Sequence, residues 1–210
     1  MKVVVISDTH ELHEELGVLH GDVLIHCGDS AYGFSHSDAQ VDRLDDWFGR
    51  QNFSCILVIG GNHDFEIQKR VHSKERLFRN AEYLEDSGIE YQGVNFYGAP
   101  WVPELAGWAF YLPPDELRKR WNLIPDDADI LITHTPPLGI LDRNSRGKAC
   151  GCPDLRKRVI DLRPRVHCFG HVHASGGTIE LKDTIYINAS LVNSQYEVVR
   201  RPQEFELSAK

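Results

Sequence analysis

The stretch Lys2-Val3-Val4-Val5-Ile6-Ser7-Asp8-Thr9-His10 decides how the chain folds. A continuous run of β-branched residues predicts a strand buried on both faces. This one breaks off at a hydroxyl, a carboxylate and an imidazole. The same punctuation recurs along the chain. Val23 to Cys27 runs into Gly28-Asp29, and Ile56 to Ile59 into Gly60-Gly61-Asn62-His63-Asp64. Ile130 to Ile132 runs into Thr133-His134, and Val166 to Phe169 into Gly170-His171-Val172-His173. Ligands of layered α/β folds bind at the carboxyl ends of strands. These segments are therefore expected to deliver their polar groups to one crevice.

Helical patterns fall between the strands. Asp38 to Gly49 places Val41, Leu44, Trp47 and Phe48 at helical spacing, with acids on the other side. Asp115 to Trp121 follows Pro113-Pro114, and Asp154 to Leu162 repeats Leu155, Val159 and Leu162 on one face. The alternation predicts an α/β layered fold. Beyond His173, Gly177 to Leu181, Thr184 to Ala189 and Phe205 to Leu207 read as strands, with Lys182-Asp183 as a hairpin turn. There is no internal repeat and no flexible linker, so residues 1–210 read as one domain, long enough to bury a sizeable core.

Composition narrows the partners. Apolar residues make up 41% and charged residues 26%, the balance of a soluble globular protein. The formal net charge of -8 disfavours long nucleic acid, which is gripped through a basic stripe. A small phosphorylated substrate stays open, because bound divalent metal would supply local positive charge. Cys27, Cys55, Cys150, Cys152 and Cys168 are odd in number and scattered, unlike a disulfide framework. The first two and the last lie in strand-like runs and are expected to be buried free thiols. The Cys150/Cys152 loop pair is expected to be free as well. The N-terminus lacks the apolar region of a signal peptide, and no apolar run has the length of a membrane span. A cytoplasmic protein with no membrane partner is expected.

Asp8 and His10 are two residues apart, as are His171 and His173, and extended backbone points such pairs to one side. A set of Asp, Asn and His suits Mn²⁺, Fe, Zn²⁺ or Ni²⁺ better than Ca²⁺ or Mg²⁺. Asp8, His10, Asp29, Asn62, His134, His171 and His173 are too many for one tetrahedral site and fit two metals sharing a carboxylate. Each also has a structural reading by itself. Gly28-Asp29 and Gly61-Asn62 are good turns, and a histidine at a strand end is commonly just hydrogen-bonded. Their recurrence in this order makes them a set.

That order, Asp8-Thr9-His10, Gly28-Asp29, Gly61-Asn62-His63-Asp64, Thr133-His134 and Gly170-His171-Val172-His173, resembles the calcineurin-like metallophosphoesterase superfamily. The resemblance implies an α/β fold, a two-sheet β-sandwich flanked by helices in four α/β/β/α layers. It implies a metal-dependent phosphoric ester hydrolase in which metal-bound hydroxide attacks phosphorus. Two divalent transition metal ions per chain are expected, Mn²⁺ first, with Fe, Zn or Ni compatible. By the same resemblance Asp8, His10 and His173 bind one metal, Asn62, His134 and His171 the other, and Asp29 bridges them. His63 is the catalytic acid that protonates the leaving oxygen. Asp64 is expected to orient His63 by a hydrogen bond, with a structural salt bridge as its other reading.

A narrower likeness covers Tyr97-Gly98-Ala99-Pro100-Trp101, Gly107-Trp108-Ala109-Phe110, Trp121-Asn122-Leu123-Ile124-Pro125 and Tyr186-Ile187-Asn188-Ala189-Ser190. These resemble metallophosphoesterase-domain proteins of vertebrate brain, grouped with the class III cyclic nucleotide phosphodiesterases. Some of that group carry glycine where this chain has His171, a change associated with weak metal binding; the histidine here implies an active enzyme. A phosphodiesterase of small phosphodiesters such as cyclic nucleotides is expected. The competing readings are a phosphomonoesterase or protein phosphatase, a nuclease, and a nucleotide-binding module without turnover. The acidic balance disfavours the nuclease, and the complete ligand set disfavours the module.

Substrate contacts are less marked. Tyr97 and Trp101 could wall a base pocket, against ordinary packing. Arg143 could meet a phosphate, against a solvated loop. Asn188 could approach the site, against a structural hydrogen bond. His13, His20, His26, His36, His72 and His167 read as surface or core residues.

Overall fold

Strand β1 (Lys2–Ile6) shows how the layers arise. Side chains alternate along extended backbone. Val3 and Val5 join an apolar cluster with Val23, Ile25, Leu57, Ile130, Ile132 and Val166, drawn from strands of two sheets. Val4 and Ile6 point the other way, into a cluster with helix residues such as Val41, Leu44, Trp47, Trp121 and Leu155. Each central strand thus packs on a facing sheet through one side and on helices through the other.

The computed structural model describes residues 1–33, 38–73 and 76–208. The first sheet contains β1, β2 (Val23–His26), β3 (Cys55–Val58), β4 (Glu82–Tyr83) and β11 (Gln203–Glu206), in the order β11-β1-β2-β3-β4. The second contains β5 (Ser87–Tyr91), β6 (Val94–Ala99), β7 (Ile130–Thr133), β8 (Val166–Phe169), β9 (Gly177–Leu181) and β10 (Thr184–Asn188), in the order β5-β6-β7-β8-β10-β9. Helices α1 (Asp38–Phe48) and α2 (Phe65–Ser73) pack together, as do α3 (Pro114–Trp121) and α4 (Pro153–Leu162). The expected two-sheet sandwich flanked by helices is the fold observed.

Parallel pairing joins β1, β2, β3 and β4 in one sheet and β6, β7, β8 and β10 in the other. Strands β11, β5 and β9 are antiparallel edges. The carboxyl ends of β1, β2 and β3 therefore share one rim of their sheet, as do those of β7 and β8. A parallel bridge between Ser7 and Ser190 ties the two rims together.

The strands expected from the apolar runs form within a residue or two of their expected bounds, and Lys182-Asp183 does turn the β9–β10 hairpin. Others escaped reading. Strand β6 contains Tyr97, read as a candidate pocket wall, and α2 offers Ile67 as its fully buried apolar residue. His36 lies outside the described residues. All five cysteines are free; Cys55, expected buried, is half-buried at the start of β3. No helix among the described residues is long and apolar enough to cross a membrane.

Two histidines are fully buried on the helix-facing sides of the sheets. His26 Nδ1 accepts the Gly28 N–H at 3.2 Å, so its Nε2 proton is donated to Thr9 Oγ1 at 3.0 Å. His167 Nε2 donates to Thr133 Oγ1 at 2.9 Å, since that hydroxyl spends its own proton on Thr135 O. Burial pushes both imidazoles from 6.5 down to about 3. Within that window the unfolded chain binds protons that the folded chain refuses, so stability falls as pH falls from about 6.5 towards 3. His167→Gln keeps a donor but does not titrate. It is expected to flatten the acid limb of melting temperature against pH in metal-free protein; a limb as steep as wild type would contradict this.

Candidate metal centre

Strain marks the rim. Asp8, His10, Asp29 and His171 all have left-handed backbone, with φ of 53°, 43°, 55° and 68°. Non-glycine residues held this way cost roughly 1–3 kcal/mol each and persist where surrounding structure over-determines them. Here backbone bonds do so. Asp8 N–H donates to Gly28 O at 3.0 Å and His10 N–H to Asp29 O at 3.1 Å, zipping the loop after β1 to the loop after β2. Gly28, at φ 92°, lets the loop after β3 close on the loop after β2, since a Cβ there would lie 2.5 Å from Gly60 O.

Asp64 fastens the next loop. Its Oδ2 accepts from the N–H groups of Asp29 and Gly61, each at 2.8 Å. Its Oδ1 accepts from the N–H of Ser30 at 3.0 Å, the Ser30 hydroxyl at 2.7 Å and the Ala31 N–H at 3.0 Å. Burial, and then the nearby Asp29 charge, raise its carboxyl to about 6 despite these bonds. The expected bond from Asp64 to His63 is replaced: His63 Nδ1 faces Gly33 O at 3.2 Å. Asp64 builds the loop instead, because several backbone N–H groups converge where its two oxygens lie.

The imidazoles are oriented from behind. Nδ1 of His10 faces Ala31 O at 2.8 Å, Nδ1 of His134 faces Cys27 O at 2.8 Å, and Nδ1 of His173 faces Asn193 O at 3.2 Å. A carbonyl can only accept, so each Nδ1 carries a proton and each Nε2 of the neutral ring offers a lone pair. Those lone pairs converge. His10 Nε2 and His173 Nε2 are 3.2 Å apart, and His173 Nε2 lies 3.3 Å from Asp8 Oδ1. His134 Nε2 lies 3.1 Å from Asn62 Oδ1 and 3.3 Å from Asp29 Oδ2. Acceptors facing acceptors repel unless a cation lies among them.

The electrostatics of these groups carry the same tension. Burial disfavours a charged His134, yet the Asp29 carboxylate beside it holds the ring at about 9. Burial likewise opposes charge on His173, and Asp8 overrides it, raising that ring too. Burial lowers His10, and burial with His134 nearby lowers His171 to about 4. Burial would raise Asp8 and Asp29, but the surrounding imidazoles hold both below the usual carboxylate range. The protonated rings do what a metal cation would do. A donor set of carboxylates and imidazoles with second nitrogens tied to carbonyls fits divalent transition metals.

Among the described residues, three groups have ligand atoms all within 4.8 Å of one another: Asp8, His10 and His173; Asp29, His134 and His171; and His10, Asp29 and His63. Asn62 Oδ1 adds to the second, at 2.8 Å from His171 Nδ1. The residues singled out from the strand ends thus meet in one place, and His63 stands among them rather than apart.

The expected substrate contacts do not. Tyr97 is buried in the core beside α3. Trp101 is buried too, donating from Nε1 to Asp86 at 2.8 Å with the Arg120 guanidinium over its ring. Tyr97 packs because β6 is an interior strand, which its interrupted pattern concealed, and Trp101, just past its end, is fixed by Asp86 and Arg120. Asn188 sits behind the site, donating to Val172 O and Leu141 O at 3.0 Å each. The Arg143 guanidinium donates to Gly147 O at 2.7 Å and closes its own loop.

Other residues do border the cluster. A cavity of about 270 Å³ is lined by His171, His173, Asn144, Ser145, Cys150, Ser194 and Tyr196, among others. The Tyr196 ring lies edge-on to His10 at 4.8 Å and to His173 at 5.5 Å. Trp108 packs against His63 at 4.7 Å, and Tyr32 against Tyr196 at 5.0 Å. Trp108 lies in the Gly107-Trp108-Ala109-Phe110 motif, whereas no sequence signal distinguished Tyr32 and Tyr196.

Fold and donor set together define a metallophosphoesterase. The chain belongs to the calcineurin-like phosphoesterase family, whose sequence profile matches residues 1–175. It is similar to human metallophosphoesterase domain-containing protein 1, 34% identical over 233 aligned residues that cover 98% of this chain and 71% of the relative. A UPF0046 protein of Caenorhabditis elegans is 35% identical over 225 residues, covering 100% of this chain and 76% of its own length. Among solved structures, phosphopantetheinyl hydrolase (PptH) of Mycobacterium tuberculosis shares the fold, with a TM-score of 0.58 at 15% identity, covering 93% of this chain and 90% of that one.

Removing the Asp64 carboxylate strands buried backbone donors. Each costs about 1–3 kcal/mol when unpaired. Asp64→Ala is expected to lower stability by at least about 3 kcal/mol, or roughly 6–12 °C of melting temperature for a chain this size. Calorimetry on metal-free protein checks this; a shift below about 2 °C would be incompatible with the bonding described.

Proposed function

We propose that this protein is a metal-dependent phosphodiesterase of small phosphodiesters, cyclic nucleotides among them, using two divalent ions with Mn²⁺ the first choice. In this reading Asp8, His10 and His173 hold one ion, Asn62, His134 and His171 the other, and Asp29 is shared. Bound there, the ions would supply Lewis acidity and the positive charge that phosphate oxygens need. The free thiols fit a reducing compartment such as the cytoplasm.

The observation that carries the diester is the cavity beside His171 and His173. Its other polar lining groups are neutral: Asn144, Ser145, Ser194 and Tyr196. A diester carries one charge and needs no further cation, whereas a monoester dianion would gain from one. Resemblance to the brain metallophosphoesterase-domain proteins points the same way.

His63 handles the proton. Its ring packs between Trp108 and His10, with centroids at 4.7 Å and 4.9 Å. Its Nε2 stands 4.0 Å from Asp29 Oδ2, so it faces the ligand cluster. From the doubly protonated ring, the Nε2 proton passes to the leaving ester oxygen as its bond to phosphorus breaks. Nδ1 keeps its proton, donates it to Gly33 O and so holds the ring in place. Water supplies the oxygen that replaces the leaving group.

The test is side-by-side hydrolysis of bis(4-nitrophenyl) phosphate and 4-nitrophenyl phosphate by stripped protein reloaded with Mn²⁺. Faster turnover of the diester is expected; preference for the monoester would move the assignment to a phosphatase. His63→Ala is expected to lower kcat by about 10²–10⁴ with metal content unchanged. Metal lost in step with activity would make His63 a ligand instead.

A further inference from the structure

We propose that Ser190, together with the loop that follows it, is a positioning device that sets the geometry of the Asp8, His10 and His173 group. The proposal rests on the metal reading above. The loop lies beyond residues 1–175, the stretch matched by the family profile.

Ser190 is 1% exposed and Asp8 is fully buried. The Ser190 hydroxyl donates to Asp8 Oδ2 at 2.6 Å. Charge-assisted O–H···O⁻ bonds have this length and are about twice as strong as neutral ones. His171 N–H reaches both Asp8 oxygens, at 3.0 Å each, and so does not distinguish them. The serine does. It engages Oδ2 and leaves Oδ1 as the oxygen facing His173 Nε2 at 3.3 Å. Without that hydroxyl the carboxylate loses the contact that selects which oxygen is presented.

The same loop sets a second ligand. Asn193 O accepts the His173 Nδ1 proton at 3.2 Å, which leaves the Nε2 lone pair on the side of Asp8 and His10. Asn193 is itself held, since its Oδ1 accepts from the N–H groups of Gln195 at 2.9 Å and Glu197 at 3.0 Å. Tyr196, at φ 62°, then covers both His10 and His173.

The loop is anchored by further bonds that do not use the ligand side chains. Ser190 N–H donates to Asn188 Oδ1 at 3.1 Å, and Asn188 also holds Val172 O, between His171 and His173. Arg200 Nη1 donates to Val192 O at 3.0 Å and to Ser190 O at 3.4 Å. Leu191 N–H donates to Ser7 O at 3.2 Å, next to Asp8. Ser190 therefore has a fixed position from which to orient Asp8.

The experiment is Mn²⁺ binding by the full chain, followed by equilibrium dialysis with metal analysis and by electron paramagnetic resonance. Wild type is expected to bind two ions with an exchange-coupled spectrum. In Ser190→Ala one ion should bind about 10–100-fold more weakly, with a single-ion spectrum at intermediate Mn²⁺ and a metal-free melting curve that stays a single cooperative transition. Ser190→Thr and Ser190→Val have matched shape and differ in the hydroxyl. Threonine should restore the second ion and valine should not, which keeps the test decisive if alanine misfolds. Wild-type binding of both ions by Ser190→Ala and Ser190→Val would overturn the positioning role and leave the metal reading standing. Equal weakening of both ions would overturn it too, since the contacts reach one ligand group. Failure of wild type to take up Mn²⁺ would sink the metal reading and this proposal with it.

Discussion

The carboxylate of Asp64 is the constraint on which the site depends. It gathers backbone N–H groups from the loop after β2 and from its own loop after β3. The loop after β2 then accepts from Asp8 and His10 of the loop after β1. One buried acid, without facing any ligand cluster itself, thereby aligns three strand ends. Its carboxyl is raised rather than lowered, because burial and the Asp29 charge outweigh the hydrogen bonds. The fold tolerates a costly group here for the geometry it imposes.

That geometry is expensive throughout. Four ligand-set residues adopt left-handed backbone, and lone pairs of His10 and His173 confront each other at 3.2 Å. Buried acceptors without an intervening positive charge are unstable. Protonated imidazoles supply that charge in the metal-free chain, and divalent ions would supply it more strongly. Stability and metal chemistry are thus coupled through the same few rings, and the parallel strands on either side provide the rigid scaffold that holds the strain.

The two sheets contribute unequally but jointly. The first delivers Asp8, His10, Asp29, Asn62 and His63 from adjacent parallel strands, and the second delivers His134, His171 and His173. The C-terminal loop crosses between them through the Ser7–Ser190 bridge. It closes the site with groups whose partners lie far away in sequence, Ser190 on Asp8 and Asn193 on His173.

Much of this was legible in the residues alone. Uninterrupted β-branched runs ending in Asp, His or Asn announce buried parallel strands with ligands at their carboxyl ends, because period and polarity change together at those points. The layered fold and the clustered donor set follow from that local pattern. Other features had no local sign. Strand β6 is broken by Asn95 and Gly98, and its burial comes from neighbours on both sides. Tyr97 looked like a pocket wall because composition cannot say which face of a strand meets the core, and Trp101 because nothing local shows that Asp86 and Arg120 enclose it. Asp64 looked like a partner for its neighbour His63, yet most of its bonds go to backbone 33 to 35 residues away. Such choices depend on where distant loops approach one another, and only the tertiary structure brings Asp64, Ser190 and Asn193 to the groups they hold.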